Sequence, residues 1–151
     1  MNILVDTNIL GRLAEPAHPQ HNDAVASVDS LHRRGDQPCV VPQVLYEFWV
    51  VASRPTADNG LGLSVAEAAS ELARLKALFA FLADSAAIYP EWERLVAAFA
   101  VSGKKAHDAR LVAAMSVHGV SHLLTFNIAD FARYPAVTVL DPSAVAAGPS
   151  P

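Results

Sequence analysis

Near its N-terminus the chain reads Ile3-Leu4-Val5-Asp6-Thr7-Asn8-Ile9-Leu10. The three apolar residues before Asp6 predict a short strand buried on both faces, because no polar residue interrupts them. Open parallel sheets bind ligands at the carboxyl ends of their strands. A first strand that ends on a carboxylate therefore indicates one edge of an active site. The alternative interpretation is that Asp6, Thr7 or Asn8 only caps the helix that follows.

Two further acids occur where the surrounding residues are apolar. Glu47 is the only charge between Val44 and Ala52, and helical spacing of three to four residues puts it on one apolar face with Val44 and Val51. Asp108 begins a second apolar helical face in the same way. An ionised carboxylate in such a position costs several kcal/mol unless it is paired or binds a metal. Nearby cations are too few to pair all three acids, so a shared divalent ion is the arrangement that satisfies them together.

The composition is typical of one compact globular domain. The 151 residues carry a formal net charge of −4, and 52% of them are hydrophobic while 17% are charged. These values exclude a disordered chain and disfavour a protein that coats nucleic acid through a broad basic surface. No apolar run approaches the roughly 20 residues that a membrane span needs, and the N-terminus lacks the pattern of a signal peptide.

Cysteine usage indicates the compartment. Cys39 is the only cysteine, so no internal disulfide can form, and its position beside Val40 in a predicted strand favours a buried structural thiol. Together with the missing membrane and signal segments, this leads us to expect a cytoplasmic protein.

Strand-like and helix-like segments alternate along the chain, which predicts α/β architecture. The predicted strands cover residues 2–5, 38–41, 86–89, 121–125 and 137–140, and helices are predicted between them. We expect a single domain over residues 1–142 and a flexible tail over 143–151, where the residues are small and proline-rich. The polar residues of interest fall at strand ends or early in the next helix, so they can converge on one edge of a parallel sheet.

The donor types favour a hard cation. Carboxylates without a His-Cys cluster suit Mg²⁺ or Mn²⁺, whereas Zn²⁺ prefers nitrogen and sulfur. Such an ion suits phosphodiester hydrolysis, because it activates a bound water and stabilises charge on the leaving oxygen. The sequence shows no Ser-His-Asp arrangement and no phosphate-binding loop. His107 precedes Asp108, but on a helix it would point about 100° away from it, which favours a structural role.

Three polar residues, one at the end of the predicted fourth strand and two just after it, leave two interpretations open. Asn127 can cap a short helix, with Asp130 in its first turn. Alternatively, one of these two residues, together with Thr125, completes the metal site or holds the water.

Taken in order, these segments resemble the motifs of PIN-domain ribonucleases. The motifs are Asp6-Thr7-Asn8, then Glu47 after an extended segment, then His107-Asp108-Ala109-Arg110-Leu111-Val112-Ala113, and then Leu124-Thr125-Phe126-Asn127-Ile128-Ala129-Asp130-Phe131. The short, single-domain length resembles the VapC toxins of bacterial and archaeal toxin–antitoxin pairs. The resemblance covers nearly the whole chain.

The resemblance implies a three-layer α/β/α sandwich with a central, mostly parallel sheet of four to five strands. It also implies Mg²⁺- or Mn²⁺-dependent endoribonuclease activity on RNA, a homodimer, and a cognate antitoxin that blocks the acidic groove. Asp6, Glu47 and Asp108 match the family's three principal acids, as catalytic and metal-binding residues. The chain departs from the family at the fourth position, where many members have an acid after the strand-four threonine: here it has Asn127, and the nearest acid is Asp130.

Two other functions stay open on the sequence. An aspartate-nucleophile phosphohydrolase of the haloacid-dehalogenase type also begins on an acid after its first strand, but it needs a second acid where this chain has Asn8. A non-catalytic, PIN-like partner-binding module would use the acids to bind a basic peptide, and it would be compatible with Asn127 at the fourth position. Such a module would take up no metal at the acids.

Overall fold

The computed structural model describes residues 1–148, and residues 149–151 lie outside the described part. Five strands form one all-parallel sheet in the order β3-β2-β1-β4-β5. The strands are β1 (Asn2–Val5), β2 (Gln37–Val40), β3 (Ala80–Phe81), β4 (His122–Leu124) and β5 (Thr138–Leu140). The predicted α/β class with a central parallel sheet is confirmed.

Helices flank this sheet. Within residues 1–148 they are α1 (Thr7–Leu13), α2 (His21–Arg33), α3 (Pro42–Ser53), α4 (Val65–Lys76), α5 (Ile88–Ala98), α6 (Lys105–Val117) and α7 (Pro142–Ala147). Short 3-10 turns cover Thr56–Asp58 and Ile128–Phe131. None of the helices in the described range has the length and apolar character needed to span a membrane.

Strand β1 lies at the centre of the sheet, between β2 and β4. Its apolar residues are almost completely buried, as expected for a strand covered on both faces. The pairing with β4 continues one residue past the strand, because the amide of Asp6 donates to the carbonyl of Leu124 at 3.0 Å. The carboxyl ends of β1 and β4 therefore lie side by side, which brings Asp6 next to Thr125.

The single cysteine is buried in β2, as predicted. Its thiol donates a hydrogen bond to the carbonyl of Ile3 in the neighbouring strand, with a sulfur–oxygen distance of 3.3 Å. Burial raises the pKa of Cys39 to about 11. The thiol therefore stays protonated at neutral pH, which agrees with a structural role.

The prediction of a strand over residues 86–89 is wrong. The third strand is Ala80–Phe81, which pairs in parallel with β2, and residues 86–89 lead into α5 instead. A short apolar run is compatible with the two-residue period of a strand and with the 3.6-residue period of a helix, so the sequence does not distinguish the two structures here. Ile88 is buried as the first helical residue, and Pro90 lies in the first turn, where its missing N–H costs no hydrogen bond.

The predicted tail over residues 143–151 begins as a helix. Helix α7 packs against α2 and buries Val145. Asp141 caps it, since its side chain accepts a hydrogen bond from the Ser143 amide at 3.0 Å, and Pro142 suits the first helical position. The cap and the proline were the available signals for this helix. The remainder of the predicted tail, residues 149–151, lies outside the described residues.

Candidate active site

Asp6 has two roles at the end of β1. Its Oδ1 accepts a hydrogen bond from the Thr7 amide at 2.7 Å, which makes it the N-cap of α1. Its Oδ2 accepts hydrogen bonds from the Thr125 hydroxyl at 2.7 Å and from the Asn8 side-chain amide at 3.3 Å. The residue is only 8% exposed. Capping a helix and lining a site are therefore compatible in this geometry.

The charge of Asp6 is not compensated by a neighbouring cation. Burial raises its pKa to about 6, against the opposing effect of the hydrogen bonds from Thr125 and Thr7. The negative charges of Glu47 and Asp108 raise it further. Across residues 1–148, none of these three acids forms an ion pair with Lys, Arg or His. The three carboxylates thus act on one another without a protein countercharge in contact.

Glu47 is held by a hydrogen bond to each of its oxygens. The Thr7 hydroxyl donates to Oε2 at 2.7 Å, and the Gln43 side-chain amide donates to Oε1 at 3.0 Å. Thr7 therefore contacts two acids, because its backbone amide donates to Asp6 and its hydroxyl donates to Glu47. These contacts fix α3 against the end of β1.

Gln43 is a site residue that the sequence analysis missed. It is 7% exposed and lies one turn before Glu47 in α3. Besides Glu47, its Nε2 contacts the carbonyl oxygen of His107 at 2.8 Å, and its Oε1 accepts from Nη1 of Arg110 at 3.0 Å. Gln43 thereby connects α3 to the start of α6, which carries Asp108. The available signal was a polar side chain four residues before an acid on an otherwise apolar helix.

Asp108 lies in the first turn of α6, partly exposed. Burial raises its pKa, and the charge of Asp130 raises it as well, while Lys105 lowers it. Asp130 itself forms an ion pair with Lys105, with an Nζ–Oδ1 distance of 2.5 Å. The side chain of His107 is exposed, and its backbone carbonyl accepts a hydrogen bond from Gln43.

One cleft of about 320 Å³ brings the acids together. Its lining comprises Asp6, Thr7, Asn8, Gly11 and Arg12 after β1, Glu47, Val51, Arg54 and Asn59 in and after α3, Asp108 in α6, and Asn127 after β4. Of the other residues singled out by the sequence, Thr125 is fully buried and contacts Asp6, whereas Asp130 lies outside the lining. Of Asn127 and Asp130, only Asn127 lines the cleft.

The donor set of the cleft suits a hydrated, oxygen-preferring ion. In the described chain, no group of three or more His, Cys, Asp or Glu side chains is arranged so that it could hold a metal ion by itself. The cleft offers carboxylate and amide oxygens and contains neither Cys nor His. Mg²⁺ is usually bound by one or two carboxylates and completes its shell with water and substrate phosphates. Such a partial set fits Mg²⁺ or Mn²⁺ and does not fit a closed zinc site.

Comparisons with known proteins agree with this fold. The family model described as "PIN domain" matches residues 3–137. No curated protein matches the sequence. The VapBC2 structure from Rickettsia felis, bound to a promoter DNA fragment, has a TM-score of 0.69 at 16% identity and covers 93% of this chain and 98% of its own.

Two further solved structures are similar. VapBC-1 from nontypeable Haemophilus influenzae gives a TM-score of 0.66 at 14% identity, covering 95% of this chain and 99% of its own. Mycobacterium tuberculosis VapC20 is described as a Sarcin-Ricin loop cleaving toxin. It gives a TM-score of 0.57 at 22% identity, and the match covers 80% of this chain and 86% of VapC20. At these identities the likeness shows the fold alone, while the family match spans most of the sequence and confirms the resemblance inferred from the motifs. This chain belongs to the PIN domain family.

Proposed function

We propose that this protein is a divalent-metal-dependent endoribonuclease and the toxin of a toxin–antitoxin pair. One observation carries the proposal: acids from three separate parts of the chain, Asp6, Glu47 and Asp108, line a single cleft. Their charges interact there without an ion-paired cation, which a bound divalent ion would supply.

The comparisons support the substrate and the partner. A similar fold is described as a toxin that cleaves the sarcin–ricin loop, which supports RNA as the substrate. Other similar folds come from VapBC complexes, which supports a cognate antitoxin. We also propose a homodimer, as the resemblance to VapC toxins implies.

The residues of the cleft each have a defined task in this proposal. Mg²⁺ or Mn²⁺ would be bound between Asp6, Asp108 and Glu47, by one or two of these carboxylates directly and by the others through its water shell. It would supply an activated water and stabilise charge on the leaving oxygen. Hydrogen bonds from neighbouring side chains keep Asp6 and Glu47 in fixed orientations toward the cleft. Asn127 contributes a neutral amide where a fourth acid would add charge, so three carboxylates serve the site.

Cleavage of total RNA by the purified protein in Mg²⁺ or Mn²⁺ tests the function, with the cut ends mapped by sequencing. Asp6→Asn and Asp108→Asn should abolish cleavage and relieve growth arrest while the fold is kept. Asp141→Asn is the matched control for the first variant, because Asp141 also follows a strand and caps a helix. Asp23→Asn, in the first turn of α2, is the control for the second. Undiminished cleavage by the two cleft variants would refute the proposal.

A non-catalytic binding module is the second candidate, and Asn127 at the fourth position is the observation that favours it. Its acids would bind a basic peptide and would take up no Mn²⁺, which titration calorimetry detects directly. The haloacid-dehalogenase alternative has no support left. Asn8 donates to Asp6 where that chemistry needs an acid, and the chain belongs to the PIN family.

A further inference from the structure

Two arginines, Arg12 and Arg54, line the cleft together with the three acids. Arg12 already has partners: its Nε donates to Gln20 at 3.0 Å, and its Nη1 lies 3.5 Å from a carboxylate oxygen of Glu15. Arg54 differs. Its Nη2 donates to the carbonyl of Asn59 at 3.1 Å, but its Nε is buried and has no hydrogen-bond partner in the part of the chain that is described. Within the described residues the Arg54 guanidinium thus has one hydrogen bond and no ion pair, so its permanent charge remains for a ligand of the cleft.

The segment after α3 holds Arg54 in place. The amide of Gly62 donates to the Arg54 carbonyl at 2.9 Å. Gly60 packs so closely that a Cβ added there would lie 1.9 Å from the same carbonyl oxygen, so only glycine fits without a shift. Asn59 has a left-handed φ of 60° and presents its carbonyl to the guanidinium. The loop thereby orders the arginine before any ligand arrives, which lowers the entropic cost of binding.

Arg54 and Glu47 are seven residues apart, which is about two helical turns, or roughly 10 Å along the axis. Val51, between them in sequence, lines the same cleft, so this side of α3 leads from the acids to the arginine. A guanidinium offers several N–H donors in a planar arrangement that matches the oxygens of a phosphate. An RNA strand cut at the acids would therefore pass Arg54, whose ordered N–H groups can donate hydrogen bonds to a phosphate.

We propose that Arg54 binds a backbone phosphate of the RNA close to the one that is cut, through the Nη groups of its guanidinium. This inference rests on the proposed nuclease function and adds the residue that holds the strand. RNA is favoured over an acidic protein segment, because three carboxylates in the same cleft repel acidic side chains, whereas phosphates also accompany the divalent ion.

Single-turnover cleavage of a short RNA in Mg²⁺ tests the proposal, with Arg54→Gln compared with Arg33→Gln. The control removes the same charge from an exposed residue at the end of α2. Arg54→Gln should raise the half-saturating protein concentration roughly tenfold to hundredfold, as expected for lost charge-assisted hydrogen bonds. The affinity should also depend less on salt. The slope of log affinity against log salt concentration should become smaller in magnitude by about 0.7, the value for one phosphate contact on a single strand. The control should change neither quantity by that amount.

A second measurement separates a phosphate contact from a structural role. One phosphate at a time, on either side of the cut, is replaced by an uncharged methylphosphonate. At one position the replacement should weaken the wild type about as much as Arg54→Gln does, and it should have little further effect on the variant. If Arg54→Gln does not fold by circular dichroism, Arg54→Lys takes its place. Because lysine keeps the charge and lacks the planar donors, this variant should leave the salt dependence unchanged and still raise the half-saturating concentration.

The outcomes distinguish this inference from the function on which it rests. If the wild type cuts no RNA in Mg²⁺ or Mn²⁺, both fail. If it cuts RNA and Arg54→Gln behaves like Arg33→Gln, the nuclease stands and the phosphate contact is wrong. Equal effects of the methylphosphonate replacements on the wild type and on Arg54→Gln would also overturn the proposed phosphate contact. The same holds if Arg54→Gln weakens binding of the antitoxin and leaves RNA binding unchanged.

Discussion

Thr125 donates its hydroxyl hydrogen to Oδ2 of Asp6 at 2.7 Å, across 119 residues of sequence. Its oxygen also accepts hydrogen bonds from the side-chain amide of Asn8 and from the backbone amide of Asn127, each at 3.0 Å. A threonine hydroxyl has one donor and two acceptor positions, so all three are used. The contact exists because β1 and β4 are neighbours in the sheet, and it joins the two strand ends at the cleft.

Thr125→Val keeps the shape of the side chain and removes all three hydrogen bonds. Because the residue is fully buried, the free energy of unfolding should fall by about 2–3 kcal/mol, as measured by urea denaturation. Thr125→Ser keeps the hydroxyl and should lose much less. Equal stability of the valine variant and the wild type would mean that this hydroxyl does not organise the strand ends.

Gln43 should control metal binding without contacting the metal. Gln43→Ala releases one oxygen of Glu47 and breaks the connection to α6, so the orientation of the acids loosens. We expect Mn²⁺ affinity to fall by about 10- to 100-fold, the usual cost of losing a residue that orients a ligand. Gln37→Ala, at an exposed position in β2, is the control. Unchanged Mn²⁺ affinity in Gln43→Ala would contradict this role.

Asp6 should make the metal-free protein less stable as pH rises. Its pKa is about 6 in the folded state and close to 3.8 in the unfolded chain, so between these values the folded state binds more protons. The free energy of unfolding should therefore decrease from about pH 4 to about pH 6 and stay reduced above that. The contribution is roughly 3 kcal/mol, from a shift of about two pKa units.

Asp6→Asn isolates this titration, because the amide does not ionise. Chemical denaturation in EDTA at several pH values should show a flatter stability curve for the variant than for the wild type. Adding Mg²⁺ at neutral pH should restore stability to the wild type and have little effect on the variant. Parallel curves for the two proteins would show that Asp6 has no raised pKa.

Local patterns were enough to predict the first strand and its acid. The run from Ile3 to Val5 is uninterrupted because β1 is covered on both faces. Asp6 follows it at the carboxyl end of this central strand. The third strand could not be predicted in this way. Its two residues, Ala80 and Phe81, are a strand only through their pairing with β2, which no local period records.

The contacts that organise the cleft are mostly non-local, and this limited the prediction of the site. Gln43 reaches the His107 carbonyl across 64 residues, so its role was invisible in the α3 sequence alone. Asn127 lines the cleft, whereas Asp130 contacts Lys105, which lies 25 residues before it in the sequence. The sequence indicated which residue types belong to the site, while their partners followed from the packing of α3 and α6.

Titration calorimetry with Mn²⁺ at neutral pH is the most direct test of the claim that Asp6, Glu47 and Asp108 share a divalent ion. We predict that the wild-type protein takes up Mn²⁺, that Asp6→Asn and Asp108→Asn each weaken the uptake by about tenfold or more, and that Asp141→Asn leaves it unchanged. Absence of Mn²⁺ uptake by the folded wild type, or equal uptake by all four proteins, would contradict the account.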